Sequence, residues 1–529
     1  QAMKKPMTPD NRNPVRLLQS PRTLSCIAGL LLVLAWPPFD LPVLQIAAFV
    51  LLFQLIREAP DDRTALIRAL PAFWIWNLGT TYWLMLATFW GGITAILANG
   101  LLMLLPLWAI RRLLELKIPP LIQALLAGSL WASYEFLHHQ WDLAWPWLTL
   151  GNGWANLPLL TQHISWTGYS ILSVWVIASA LLFEQSLRTR TRRDLAVALL
   201  LFTSSPLLSA VASWQWEPDE GPPMEVAVVQ PNHDSYLPNG GYVSTDQVVQ
   251  KLLELTSQTR TRQTELIVWP ENAIDRSLPA RNAYNRVLTD SLREWESRLI
   301  TGSGYLEYYD EETPAPMIHR NTSQGTPYNV FNSALYYTPG HTTPDIYKKG
   351  RLVPIVERLP FAKTLRKFDV GEWIPWGEIS GYGKGTDATL FPVGHATTPA
   401  LICYDSVFPG WVNQFTGSGP GFLTIITNDG WWGNTSGHTQ HFAYARLRAI
   451  EQRQWVVRSA NNGISGIIAP DGSVHRKTGY WERTGFVHDI HASNKPSLYS
   501  RMGDRFNHLL LLVSGLALLL PLRKRLRKQ

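Results

Sequence analysis

The chain has 529 residues, enough for two to four domains, of which 16% are charged, 46% are hydrophobic and 24 are tryptophan. A low charge content with abundant tryptophan predicts a membrane protein with aromatic side chains at the bilayer interfaces. The net charge of +7 does not indicate a nucleic-acid partner, because the basic residues cluster beside apolar runs instead of forming a binding stripe.

The apolar runs predict seven membrane spans within residues 17–212 and an eighth at 506–522, since a span needs about 20 predominantly apolar residues. A soluble α/β segment, 224–495, lies between the seventh and the eighth span, and a basic tail follows the eighth. The first two spans are interrupted by Pro37, Pro38 and Asp40 and could instead form one broken hairpin. The seven runs lie near 17–36, 41–57, 69–89, 91–110, 119–138, 163–184 and 194–212.

Basic residues occur at every second junction between these runs, which is the pattern of a membrane protein with one cytoplasmic side. The junctions without them lie at 37–40, near 90 and at 139–162. The positive-inside rule therefore predicts that both termini are cytoplasmic and that segment 224–495 lies on the opposite side. The basic clusters are Lys4 to Arg22, Arg57 to Arg68, Arg111 to Lys117, Arg188 to Arg193, and Arg523 to Lys528.

The junction at 138–147 carries three tryptophans, Trp141, Trp145 and Trp147. One interpretation is an interfacial belt, in which the indole rings face the lipid headgroups. The other is that these side chains line an entrance for a lipid chain beneath the soluble segment. We expect Trp145 and Trp147 to contact substrate under the second interpretation.

The soluble segment alternates strands, turns and helices, which predicts a two-sheet α/β sandwich. A strand begins at Met224, a helical pattern surrounds Leu252, and a buried strand covers Leu266 to Trp269. The last of these delivers Glu271 at its carboxyl end, where α/β proteins place their binding crevices. A turn residue or a helix N-terminal charge is the plainer interpretation of that carboxylate.

A second segment carries Lys349 and Glu357 around the sequence Leu352-Val353-Pro354. A Lys-Lys pair is commonly a solvated basic patch. The apolar residues that follow indicate that part of this loop is packed, and a lysine and a glutamate that are buried together offset each other's charge. We therefore expect Lys349 and Glu357 to lie close to one another.

Cys403 follows the apolar residues Leu401 and Ile402 and precedes a Pro-Gly turn, so a strand is predicted to end at this thiol. A lone cysteine is more often a buried small hydrophobe than a nucleophile, and Cys26, within an apolar run, has that simpler interpretation. A further strand at 423–427 leads to Trp432, His438 and His441 and to a helix over 440–452. The two histidines have no third ligand nearby in sequence, so no metal site is predicted.

Glu, Lys and Cys at three separate strand ends have complementary chemistry. The carboxylate of Glu271 can take the thiol proton and later return it to a leaving group. The charge of Lys349 favours a thiolate and a tetrahedral oxyanion, and the backbone N–H of Tyr404 is a second oxyanion donor. This set predicts attack of Cys403 on an acyl carbon and a covalent thioester intermediate.

Four motifs resemble the nitrilase, or carbon–nitrogen hydrolase, superfamily: Trp-Pro-Glu at 269–271, Tyr-x-Lys-x-x-Leu-Val-Pro at 347–354, Ile-Cys-Tyr-Asp at 402–405 and Thr-Asn-Asp-x-Trp at 427–431. Together with seven spans before this segment and one after it, nearly the whole chain resembles the apolipoprotein N-acyltransferases, the membrane branch of that superfamily. The resemblance implies a polytopic α-helical membrane domain of about eight spans and a nitrilase-like α-β-β-α sandwich.

The resemblance also implies an activity and a set of site residues. A fatty acyl chain passes from a membrane phospholipid to the cysteine and then to the α-amino group of the diacylglyceryl-cysteine of an apolipoprotein. The implied enzyme needs no cofactor, acts as a monomer, and lies in the bacterial inner membrane with its catalytic domain in the periplasm. The matching residues are Glu271 as base, Lys349 as oxyanion and thiolate stabiliser, Cys403 as nucleophile, Glu357 and Tyr404 as supporting residues, and Trp432, Trp145 and Trp147 at the substrate.

One departure from the family leaves an alternative open. Asp405 follows Cys403 and Tyr404 where many members of the family have glutamate, and this is the pattern of soluble nitrilases and amidases. The alternative function is a membrane-tethered amidase that uses water as acceptor. A catalytically silent scaffold or transporter would carry more ionisable residues within its spans than Glu135 and Asp142. The Gly-, Pro- and Trp-rich segment 370–385 is a candidate lid.

Overall fold

The computed structural model describes residues 20–218, 221–274, 283–368, 381–416 and 421–526, with the backbone alone for 520–526. Three sequence features lie wholly or partly outside these residues. They are the basic residues from Lys4 to Arg16, the side chains of the basic tail, and most of the candidate lid at 370–385.

The amino-terminal part of the chain is α-helical, as the apolar runs predict. Helix α3 begins at Asp62, well before the predicted Ala69, because the side chain of Asp61 caps it by accepting a hydrogen bond from the N–H of Thr64 at 2.8 Å. Its helices are α1 Pro21–Leu34, α2 Leu44–Arg57, α3 Asp62–Thr81, α4 Leu84–Ala87, α5 Phe89–Leu102, α6 Leu104–Leu114, α7 Pro120–His138, α8 Ile164–Thr167, α9 Ser170–Thr189 and α10 Arg192–Gln215.

Three helices in the described part of the chain are long and apolar enough to cross a membrane: Phe89–Leu114, Ser170–Thr189 and Arg192–Gln215. Three apolar helices are shorter: Pro21–Leu34, Leu44–Arg57 and Arg505–Leu519. The number of eight spans therefore stays a prediction.

A mixed sheet starts the second part of the chain and, among the described residues, has seven strands in the order β14-β1-β2-β3-β5-β4, with β6 also paired to β5. Strands β1, β2 and β3 are parallel, so their carboxyl ends share one edge. The strands are β1 Pro223–Gln230, β2 Thr264–Val268, β3 Arg298–Tyr308, β4 Arg320–Asn321, β5 Pro327–Tyr337, β6 Asp345–Lys348 and β14 Thr484–His491.

A second sheet runs in the order β13-β12-β11-β10-β9, in which β9, β10 and β11 are parallel. A hairpin of β7 Phe391–Val393 and β8 Ala396–Thr398 precedes it. Its strands are β9 Ala400–Ile402, β10 Leu423–Thr427, β11 Val456–Ala460, β12 Gly466–Ile468 and β13 Val474–Lys477. The remaining helices are α11 Thr245–Thr259, α12 Ala283–Trp295, α13 Ala362–Lys367, α14 Pro409–Val412, α15 Ser436–Gln452, α16 Leu498–Met502 and α17 Arg505–Leu526.

The two sheets face each other and helices cover their outer faces. Alternate residues of β1 divide between two apolar cores: Val226 and Val228 pack towards the second sheet, whereas Ala227 and Val229 pack under α11 and α12. Helix α15 lies against β11 and β12 on the other side. The predicted α-β-β-α sandwich is therefore present, and the carboxyl ends of β2 and β9 both lie at the edge that carries the site.

Hydrogen bonds fix the sandwich on the helical part. Gln440 on α15 accepts a bond from the indole N–H of Trp147 at 2.7 Å and donates to the carbonyl oxygens of Pro37 and Thr80, each at 3.1 Å. The hydroxyl of Tyr404 donates to the carbonyl of Ala144 at 2.8 Å. Buried polar groups need such partners, so these bonds position the strand ends directly above the loop that carries the tryptophans.

Candidate active site

Glu271 is buried three residues beyond Val268, the last residue of β2, close to where the strand pattern predicts it. Its backbone passes so close to β3 that a Cβ on Gly302 would lie 2.5 Å from the Cα of Glu271. Only glycine allows this approach, and the N–H of Gly302 donates to the carbonyl of Pro270 at 3.0 Å. The strand edge thus fixes the carboxylate at one position.

Lys349 follows β6 and is buried with Glu271 and Glu357. The predicted closeness of Lys349 and Glu357 is therefore confirmed. Its ammonium group donates to Oε1 of Glu357 at 2.9 Å and to Oε1 of Glu271 at 3.2 Å. Only 1% of the lysine side chain is exposed, so the solvated-patch interpretation is wrong. The second oxygen of Glu357 accepts from the N–H of Val353 at 2.7 Å, which ties the packed loop to the ion pair.

Asn332 on β5 joins the two carboxylates and was not predicted from the sequence. Its side-chain amide donates to Glu271 at 2.7 Å and to Glu357 at 3.0 Å. The other oxygen of Glu271 accepts from the N–H of Asn428 at 2.9 Å. An asparagine within an apolar strand is the signal that could have indicated a buried polar partner.

Cys403 begins a 3₁₀ turn, Cys403–Val407, directly after β9. Its φ of +47° is in the left-handed region, which is uncommon for a residue with a side chain and is often found at functional sites. The thiol is 8% exposed and lines the same cavity as Glu271 and Lys349. The predicted strand end with a sharp turn at this cysteine is confirmed.

The pKa values around the thiol differ from the sequence-based expectation. Burial and the neighbouring carboxylate of Glu271 raise the pKa of Cys403 well above its usual value, although Lys349 acts in the opposite direction. Burial also raises the pKa of Glu271, against the effect of Lys349. Burial lowers the pKa of Lys349, but Glu271 and Glu357 outweigh it and raise that pKa well above its usual value. The resting site therefore favours a protonated thiol beside a charged lysine, not a preformed thiolate.

Asp405 connects the cysteine turn to the lysine loop. One of its oxygens accepts from the N–H of Arg351 at 2.7 Å, and the other accepts from the hydroxyl of Tyr347 at 2.9 Å and from the N–H of Ile402 at 3.1 Å. Burial raises the pKa of Asp405 to about 6. Asp405 thus joins the backbone after Lys349, the side chain of Tyr347 before it, and the end of the strand that carries Cys403.

A second group of ionisable residues lies below the thiol: one ligand-type atom from each of Cys403, Asp429 and His441 lies within 4.8 Å of the others. The Nδ1 of His441 pairs with Asp429 at 2.9 Å, and its Nε2 lies 3.2 Å from Oγ of Ser406 and 3.3 Å from the carbonyl of Cys403. Arg458 donates to Asp429 at 2.7 Å. Burial alone would raise the pKa of Asp429, but Arg458 and His441 outweigh it and lower that pKa. Both ring nitrogens of His441 are therefore engaged with groups other than the thiol.

A cavity of about 460 Å³ opens from Cys403 and continues into the helical part. Its volume is in the range of small-molecule binding sites. The helical side of its lining includes Gly91, Gly92, Ala95, Ala98 and Asn99, a row of small residues at helical spacing on α5.

The tryptophans predicted at the substrate line this cavity close to the thiol. Trp145 stacks on Trp147 with ring centres 5.7 Å apart, and Trp432 packs edge-on against Trp147 at 5.6 Å. Trp83, which the sequence did not single out, lies 4.6 Å from Trp432 and 4.8 Å from Trp147. Because Trp147 is 1% exposed, it is not part of an interfacial belt. Tyr404 also lines the cavity.

Comparisons with known proteins agree with the two-part organisation. The model of the family described as "Apolipoprotein N-acyltransferase N-terminal domain" matches residues 28–182, and the model described as "Carbon-nitrogen hydrolase" matches residues 225–494. The apolipoprotein N-acyltransferase of Chlorobaculum tepidum is 31% identical over 96% of this chain and 98% of its own length. That of Pseudomonas syringae pv. tomato is 28% identical over 87% of this chain and 88% of its own length.

Two solved structures are similar to about half of this chain. Nit3 of Saccharomyces cerevisiae, a member of branch 10 of that superfamily, is 14% identical with a TM-score of 0.38, over 52% of this chain and 93% of its own. An amidase from Nesterenkonia sp. is also 14% identical, with a TM-score of 0.35 over 51% of this chain and 90% of its own.

Proposed function

The chain belongs to the apolipoprotein N-acyltransferase family, and on that premise we propose that it moves a fatty acyl chain from a membrane phospholipid to apolipoproteins through a thioester on Cys403. The acceptor is the α-amino group of the diacylglyceryl-cysteine at the apolipoprotein N-terminus. The observation that carries this proposal is one cavity that joins the thiol and its ionisable neighbours to an apolar row on α5. An acyl chain needs such an apolar volume next to the nucleophile.

In the first half-reaction, Glu271 takes the proton of the thiol while the sulfur attacks the ester carbonyl of the phospholipid. The S–C bond forms and the C–O bond breaks, and the proton passes from Glu271 to the oxygen of the leaving lysophospholipid. Lys349 and the N–H of Tyr404 stabilise the oxyanion of the tetrahedral intermediate. The raised pKa of Glu271 suits this exchange, because a base must also be able to return the proton.

In the second half-reaction the α-amine attacks the thioester. The N–C bond forms, the S–C bond breaks, and a proton of the amine returns to the sulfur through Glu271. Glu357 and Asn332 fix the positions of Lys349 and Glu271 relative to each other through hydrogen bonds. No step uses a metal or a diffusible cofactor, so the chain's own residues account for each proton and bond.

We place the reaction at the periplasmic face of the bacterial inner membrane. The proposal that both termini are cytoplasmic and that about eight spans surround the site rests on the alternation of basic clusters. It is supported by the three long apolar helices and by the position of the catalytic strand ends above the helical part. Acyl donors are then lipids of the outer leaflet.

The acceptor can be tested with purified full-length protein in detergent. Exposure to phospholipid is expected to add the mass of one acyl chain to the peptide that contains Cys403. A diacylglyceryl-cysteine peptide is then expected to clear this adduct at least about tenfold faster than buffer, since a bound amine competes with free water. Clearance by water at the same rate as by the peptide would instead support the amidase.

A second prediction concerns chain length. Ala95→Phe fills the row on α5 and is expected to slow adduct formation from long-chain donors about tenfold, because it displaces about two methylenes at ~0.8 kcal/mol each. Donors with much shorter chains are expected to react at the unsubstituted rate. Leu97→Phe is the control, because Leu97 lies on the same helix, is 44% exposed and does not line the cavity. An equal loss for long and short donors would contradict an acyl site along α5.

A further inference from the structure

Three basic residues adjoin, along the chain, residues that line the cavity. Arg351 and Arg358 bracket the lining segment Val353–Glu357, and Lys384 lies two residues beyond the lining residue Tyr382. We call Arg351, Arg358 and Lys384 the basic collar. None of them takes part in the proton transfers described above.

Backbone hydrogen bonds hold the segment around Lys384 against the loop that carries the two arginines. The N–H of Tyr382 donates to the carbonyl of Glu357 at 2.8 Å, and the N–H of Gly385 donates to the carbonyl of Lys349 at 2.9 Å. The guanidinium of Arg358 reaches the carbonyl of Tyr382 at 3.5 Å. The position of Lys384 relative to the catalytic lysine is therefore set by the main chain.

The basic collar lacks acidic partners among the described residues: none of its three side chains forms an ion pair within 4.0 Å there. The guanidinium of Arg351 lies 5.2 Å above the rings of Phe408 and Trp411, and its buried Nε has no hydrogen-bond partner. Unpaired buried donors are costly, so a ligand that accepts from them is stabilised.

The three charges also act on one another. Partial burial lowers the pKa of Lys384, and Arg351, Arg358 and the nearby Lys363 lower it further, against the single carboxylate of Asp142. The carboxylates of Asp405 and Asp504 also act on Arg351, so a bound anion would offset the repulsion mainly at Arg358 and Lys384. A phosphate suits this role, because a guanidinium donates two parallel hydrogen bonds to phosphate oxygens and an ammonium adds a point charge.

The loop that carries the basic collar lies against the helical part of the chain. Asp142 accepts from the N–H of Phe361 at 2.7 Å, and Trp141 lies against the ring of Phe361 at 6.2 Å, so the segment after Arg358 rests on the loop that follows α7. A donor whose ester carbonyl lies at Cys403 and whose acyl chain fills the cavity has its phosphate a few bonds away, outside the mouth. Basic pockets at membrane interfaces bind such headgroups.

We propose that the basic collar binds the headgroup phosphate of the acyl-donor phospholipid and so orients its ester towards Cys403. This proposal rests on the proposed transferase function. It adds that the enzyme recognises its lipid donor by the headgroup phosphate. Free inorganic phosphate has the same chemistry and is the competing ligand.

The test compares two donors with the same acyl chains, a phospholipid and a neutral diacylglycerol, by the rate of acyl-adduct formation on full-length protein in detergent. The unsubstituted protein is expected to prefer the phospholipid. The double variant Arg358→Gln/Lys384→Gln is expected to lower the phospholipid rate about tenfold or more, the effect of lost charge-assisted hydrogen bonds, and to leave the diacylglycerol rate unchanged. Arg262→Gln is the matched control, since this exposed arginine lies at the amino end of β2.

The possible outcomes distinguish a failure of the proposed headgroup site from a failure of the proposed function. Equal ratios of the two rates in the double variant and the unsubstituted protein would overturn the collar, while the adduct formed by both proteins would leave the thioester step of the proposed function standing. If the variant changes inhibition by added inorganic phosphate but not the donor ratio, the ligand is free phosphate and the headgroup assignment is wrong. Failure of the unsubstituted protein to form an adduct with either donor would overturn both proposals.

Discussion

Replacing Cys403 with alanine is expected to abolish the acyl adduct and to reduce acyl transfer by at least about 10³-fold, because no other group in the cavity can form the thioester. The measurement is the intact mass of the purified full-length protein after exposure to phospholipid, together with transfer to a diacylglyceryl-cysteine peptide. Cys403→Ser keeps the shape of the site, and it is expected to bind donor lipid without turnover.

The matched control for this variant is Cys26→Ala. Cys26 is the other cysteine of the chain and lies exposed on α1, away from the cavity. It is expected to form the adduct at the unsubstituted rate. An acyl mass gained by Cys403→Ala, or lost by Cys26→Ala, would show that the nucleophile is assigned to the wrong residue.

The strand ends that carry Glu271 and Cys403 could be predicted from the sequence because each follows a short apolar run and precedes a turn. The partners of these residues could not be predicted in the same way. Asn332 and Asp429 reach the site through pairing of strands far apart in the chain, and no local pattern encodes that pairing. The sequence also indicates that a positive charge lies near the thiol. It does not indicate whether the pKa of the thiol is raised or lowered, because that depends on burial and on how many carboxylates share Lys349.

Asp405 is the position at which the sequence departs from many members of the family, and on the sequence alone this departure leaves the amidase alternative open. In the folded protein the carboxylate accepts from the N–H of Arg351 in the lysine loop and from the N–H of Ile402 just before the cysteine turn. Asp405 therefore holds the two catalytic segments together.

The base is the second residue whose loss has a large expected effect. Glu271→Gln is expected to slow adduct formation by about 10²- to 10⁴-fold at neutral pH, the usual contribution of a general base. The amide keeps the hydrogen bond from Lys349 but cannot take the thiol proton. Burial, the largest cause of the raised pKa of Cys403, persists in this variant, so we expect its thiol to need a higher pH to lose its proton.

The pH dependence of the Glu271→Gln rate distinguishes the loss of a general base from misfolding of the variant. Below a raised thiol pKa the thiolate fraction grows about tenfold per pH unit, so the rate of Glu271→Gln is expected to rise with pH more steeply than that of the unsubstituted protein.

His441→Gln tests the competing base near the thiol. Both nitrogens of His441 already contact other groups, so this variant is expected to lower the thermal unfolding temperature and to retain adduct formation. Loss of the adduct in His441→Gln, with a rapid reaction in Glu271→Gln, would transfer the role of base to the histidine.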